Sequence, residues 1–80
     1  MGYPLDDIIR MARTAEKHPD SVGVLSTGEH CAVALVTDRK EFLPRGYTTM
    51  LDAVDRLQGD WLDACIQANR AGWRESESAA

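Results

Sequence analysis

Eighty residues are enough for one domain and a modest core, and a balance of 44% apolar with 28% charged residues excludes a disordered chain. Thirteen acidic against nine basic residues leave a formal net charge of −4, which argues against a nucleic-acid binder, whose affinity comes mainly from phosphate contacts. No apolar run is long enough to span a bilayer and no apolar secretory leader is visible, so a cytoplasmic protein without membrane attachment is expected.

Tyr3-Pro4 opens a first helix, because proline suits a position whose N–H would have no helical partner. Asp6 and Asp7 oppose the positive end of its dipole, and Asp6 stands at the spacing for an i,i+4 ion pair with Arg10. Leu5, Ile8, Ile9, Ala12 and Ala15 recur at three- and four-residue steps as a buried stripe. Lys17 and His18 suit the last turn, and Pro19 stops the helix.

Two short runs follow, Ser21 to Ser26 and His30 to Thr37. The second is uncharged, eight residues long and partly β-branched, with turn-forming residues on both sides, so it reads as a central strand. Joined through Thr27-Gly28 or Gly28-Glu29, the two runs form an antiparallel hairpin. Either register puts Val22, Val24, Cys31, Val33 and Leu35 on one face. The other face carries Gly23, Leu25, His30, Ala32, Ala34 and Val36 and is too apolar for water. With unguarded strand edges, this face predicts an isologous homodimer, paired along an edge or packed over Ala32, Ala34 and Val36.

Asp38 to Glu41 leave the strand, Phe42 and Leu43 plug the edge of the core, and Pro44-Arg45-Gly46 turns the chain. Thr48 or Thr49 caps a second helix with Met50, Leu51, Val54 and Leu57 as its stripe and Gly59 as its terminator. Asp60 caps a third helix, with Asp63 at the capping-box position and Trp61, Leu62, Cys65, Ile66 and Asn69 on its inner face. Gly72 and Trp73 fit the positions just past its end. The expected fold is therefore α+β: one domain over residues 3–73, in the order helix, strand, strand, helix, helix, with the helices on a hairpin and a frayed tail over 74–80. Ile8, Cys31, Val33, Leu35, Leu51, Val54, Leu62 and Ile66 are its expected core.

No residue pattern names a reaction. His18, His30, Cys31 and Cys65 match no zinc spacing, and both cysteines sit in apolar patterns that suit reduced core thiols. Cys31 is too enclosed for a nucleophile, and Ser26-Thr27-Gly28 lacks the lysine-bearing loop of a phosphate cradle. No catalytic residue, metal or cofactor is expected, so the chain reads as a non-enzyme. The last two helices have the outline of a helix-turn-helix, but the second begins Asp60-Trp61-Leu62-Asp63 and holds its only basic residue, Arg70, at the far end, which disfavours direct DNA binding.

Asp52, Asp55, Asp60 and Asp63 crowd these helices and suggest a surface that orients a basic protein partner. Two functions fit. The first is a small, self-associating protein-interaction module. The alternative is an acidic inhibitor or nucleic-acid mimic that fills a basic groove of a host complex. In size and charge, though in no motif, the chain resembles accessory proteins of phage genomes such as anti-CRISPR inhibitors.

Overall fold

Ser26 begins the element on which everything else packs. Its hydroxyl accepts the Glu29 N–H at 3.3 Å, and the Glu29 carboxylate accepts the Ser26 N–H at 2.9 Å. This reciprocal capping box satisfies two N–H groups that a helix start otherwise leaves without partners. It launches a helix over Thr27–Thr37, the segment expected to be the central strand.

The structure, a computed structural model, describes residues 4–73. Tyr3 and the expected tail over 74–80 lie outside the described residues. Four α-helices run over Leu5–Lys17 (α1), Thr27–Thr37 (α2), Met50–Leu57 (α3) and Asp60–Ala71 (α4). Two 3₁₀ turns, Pro19–Val24 and Lys40–Phe42, flank α2. The described residues contain no strand, so the α+β fold and its hairpin give way to an all-helical one.

The reason lies in α2 itself. Cys31, Ala32, Val33 and Ala34 are fully buried, and Val36 and Thr37 nearly so. A helix covered on most of its circumference is apolar nearly all round and loses the 3.6-residue period that marks an amphipathic one. Its three opening residues, Thr27, Gly28 and Glu29, make it 11 residues long rather than eight. It touches α1, α3, α4 and the second 3₁₀ turn. Ala32 and Val36 join Ile8, Ala12, Ala64, Cys65, Ala68 and Trp73 on one side. Val33 and Ala34 meet Ala15, Val22 and Phe42 on the other.

The run before α2 forms no strand either. It winds into the first 3₁₀ turn, which buries Val22 and leaves Val24 88% exposed. The end of α2 is equally well defined. Asp38 takes the left-handed conformation at φ 58°, the Arg39 N–H bonds Ala34 O at 3.1 Å, and the Asp38 N–H bonds Leu35 O at 3.3 Å. This is a Schellman motif, and aspartate is among the few side chains that tolerate its positive φ. The buried Thr37 hydroxyl donates back to Val33 O at 2.7 Å.

The other helices start and stop close to the expected places, with local differences. Pro4 stands just before α1 and accepts the first helical bond, from the Ile8 N–H. Arg10 pairs with Asp7 at 3.0 Å instead of with Asp6, an i,i+3 contact on an exposed face. Thr49 caps α3, with Asp52 closing the box. Gly59, rather than Asp60, holds the N-cap position of α4. Gly72 adopts the left-handed conformation past its end, and Trp73 folds back into the core.

Candidate interaction groove

The helices are held together by alanine. Ala12, Ala15, Ala32, Ala34, Ala53, Ala64 and Ala68 are all fully buried. Small side chains let helix backbones approach closely, and the larger residues next to them turn outward. On α4 the inner face is therefore Ala64, Cys65 and Ala68; of the expected Trp61, Leu62, Cys65, Ile66 and Asn69, Cys65 is buried, Trp61 and Leu62 are half-buried, and Ile66 and Asn69 are exposed. On α3 only Ala53 is buried, and Leu51, expected in the core, is 77% exposed. Ile66 is 42% exposed, and Leu35, Val54 and Leu62 are half-buried. Of the expected core, Ile8, Cys31 and Val33 are fully enclosed.

These displaced side chains meet in one place. α3 and α4 each pack on α2 more than on one another, and the space between them is an open groove of about 630 Å³. Leu35, Val54, Leu62 and Ile66 form its apolar sides, and Val36 and Cys65 belong to its floor. Asp38 and Asn69 are its polar members. Leu51 stands one helical turn before Val54 and extends the apolar surface along α3.

The floor is chemically quiet. The Cys65 thiol lies 3.8 Å from Ala32 O, and burial pushes it up to about 12, with the Cys31 sulfur adding in the same direction. Burial also raises Cys31, against the opposing charge of Arg56. Both are free thiols, and in their protonated state they are poor nucleophiles and poor metal ligands. Among the described residues no group of three or more His, Cys, Asp or Glu is placed to hold a metal ion. His18 is exposed, and the half-buried His30 holds Nδ1 3.2 Å from Phe42 O, a contact made when Nδ1 carries a proton to donate.

The residues singled out from sequence divide sharply. Ala32, Ala34 and Val36 are core of the chain itself, at 0%, 0% and 6% exposure, so the dimer contact expected over them has no surface to form on. Its edge-paired version has no strand edge among the described residues. The four aspartates are exposed but play separate parts. Asp52 caps α3, accepting from the Thr48 and Thr49 N–H groups at 3.2 Å each, and these bonds hold its carboxyl below the ordinary carboxylate range. Asp60 opens α4. Asp55 follows Val54 and lies one turn from Leu51, and Asp63 lies one turn before Ile66, so helical spacing sets these two beside the groove.

A smaller hollow of about 270 Å³ lies at the start of α2, lined by Ser26, Gly28, Glu29, Arg56, Leu57 and Trp61. Its carboxylate and hydroxyl are already engaged with each other's backbone in the capping box.

Among the described residues no helix is long and apolar enough to cross a membrane. Compared with known protein families, curated proteins and solved structures, the chain has no match. The groove's own chemistry is therefore the guide to function.

Proposed function

We propose that the chain is a non-enzymatic protein-interaction module whose docking surface is the groove between α2, α3 and α4. One observation carries the reading: Leu35, Val54, Leu62 and Ile66 line the same open groove, although α2 and α3 are closed by capping boxes and α4 buries Ala64, Cys65 and Ala68 against the core. Single exposed apolar residues are ordinary, and four apolar side chains gathered in one open hollow make it the candidate partner site of the domain. The enclosed, protonated thiols fit action in a reducing compartment such as the cytoplasm.

Self-association through this surface is disfavoured by charge, since two copies face to face would bring their acidic rims together. The acidic-mimic alternative has less support than the groove, because the Asp52 carboxylate is committed to a helix cap.

Photo-crosslinking in the cells that make the protein tests the proposal. A photoreactive residue at position 66 should give a discrete protein adduct. The same residue at the exposed position 20, in the first 3₁₀ turn, should not. The adduct should vanish when Leu62→Asp is added. Identical adducts from both positions, or none from position 66, would contradict the reading.

A further inference from the structure

The groove is apolar along its length and acidic at its margins. We infer that its occupant is an amphipathic helix of a partner protein, with an apolar edge flanked by Lys or Arg. This rests on the docking groove proposed above and adds the class of occupant.

Charge is the first argument. Among the described residues Asp38 is the sole charged one lining the groove. Its backbone is fixed by the Schellman bonds at the end of α2. Asp55 follows Val54 on the α3 wall and is exposed. Among the described residues the nearby cations are fewer or engaged elsewhere. Arg70 lies one turn past Ile66 at the end of α4. Arg56 faces the separate hollow at the start of α2. Arg39 pairs with Glu16 at 3.4 Å and with Glu41 at 3.6 Å. A basic flank on the occupant therefore meets a net negative rim, which speeds and orients docking.

Shape is the second argument. An extended peptide commonly binds by adding to a sheet edge, and the described residues contain no strand. A channel walled by two helices over a third instead suits helix-in-groove docking, read as anchors at i, i+3 or i+4, and i+7. From Leu62 to Asn69 the α4 wall is about 10 Å long at roughly 1.5 Å per residue, which matches two turns of such a helix. Other occupants fit less well. A second copy of the chain would set acidic rim against acidic rim. Residues 74–80 carry Glu75 and Glu77 and no large apolar side chain to seat.

Three fluorescent peptides of about 16 residues, or roughly 24 Å as helices, make the test. One carries leucines at the anchor spacing with lysine flanks. The second has the same leucines with glutamate flanks. The third keeps the lysines and has a central proline, which breaks a helix. Binding is read by anisotropy. The lysine-flanked helix should bind, and about tenfold more tightly than the glutamate-flanked one. Its affinity should fall as salt passes about 0.1 M, where charges are screened within about 10 Å. Asp38→Asn with Asp55→Asn should weaken it about tenfold. Asparagine keeps the size of aspartate and also tolerates the left-handed backbone at position 38.

Ile66→Asp separates docking from mere charge attraction. It adds a negative charge, so a purely electrostatic contact strengthens while docking in the groove weakens. Circular dichroism checks that this variant stays helical, and Ile66→Ser gives the same apolar deletion without the charge. Equal binding of lysine- and glutamate-flanked peptides, lost in both Ile66 variants, would overturn the basic partner and leave the docking groove standing. Equal binding of the proline peptide would overturn the helical occupant. No binding by any peptide, or binding that neither Ile66 variant weakens, would overturn the groove reading as well.

Discussion

The indole Nε1–H of Trp73 donates to the backbone carbonyl of Val36 at 3.3 Å, joining the end of α4 to the end of α2. Val36 O is one of the last carbonyls of α2, which have no partner further along the helix. The indole supplies one, and the Trp73 ring, 4% exposed, packs beside Ala68 and Ile8 in the same contact. The Arg13 guanidinium donates to Trp73 O at 3.3 Å, so α1 is drawn into the same junction. Trp73→Ala should destabilise the chain by roughly 3–5 kcal/mol through lost burial and the cavity left behind. Trp73→Phe keeps most of the ring and loses the hydrogen bond, so it should cost about 1 kcal/mol. Denaturant melts of the two variants measure the difference, and a Trp73→Phe variant as stable as the parent would mean the indole N–H contributes nothing.

The Ser26–Glu29 capping box decides where α2 begins. Ser26→Ala should lower stability by roughly 0.5–2 kcal/mol. The loss should appear in a urea melt with little change in slope, as expected when stability but not compactness changes. An unchanged midpoint would show that burial alone sets the start of the helix.

Much of the helical frame is legible in the sequence. Pro4, Pro19, Thr49 and Gly72 mark helix ends within a residue or so of where they fall, and the stripe Ile8, Ala12 and Ala15 is the buried face of α1. The segment around α2 is misleading because most of it is buried, with only Leu35 half-open between Cys31 and Val36. With no polar face, Cys31 to Val36 shows no helical period, and valine twice suggests a strand. The sign that overrules this is local: Ser26-Thr27-Gly28-Glu29 before an apolar run is a capping-box signature, although glycine in it also suits a turn. The groove is illegible for a different reason. Large apolar residues are the natural choice for a core, but here Ala64 and Ala68 hold the inner face of α4 and leave Leu62 and Ile66 at the surface. Alanines four residues apart are the pattern that would have located that face.

The alanine core predicts an asymmetry between small and large positions. Ala34→Leu or Ala68→Leu should destabilise by roughly 1–3 kcal/mol or more, because these sites are filled and the added carbons force neighbours apart. Leu51→Glu should leave the melting temperature nearly unchanged, since 77% of that residue already faces water. Thermal melts of the three variants settle the point. A severe loss from Leu51→Glu would mean that Leu51 is covered in the folded protein.

Alkaline titration should expose the buried thiols. The folded-state pKa of Cys65 is raised from near 9 to about 12, so the folded chain holds this proton longer than the unfolded one. The associated stability is complete below about pH 9 and is lost as pH rises towards 12. Cys65→Ala should flatten that part of the stability curve, whatever it costs at neutral pH. A decline equally steep in the variant would assign it to other groups.

The account turns on α2 as a helix enclosed by the other three, because the groove exists only where α3 and α4 splay across it. Amide exchange with backbone carbon shifts over residues 31–36 is the most direct measurement. The expected result is helical shifts throughout, with some of the slowest-exchanging amides of the chain in this segment. Extended shifts, or exchange as fast as that of the connecting turns, would contradict it.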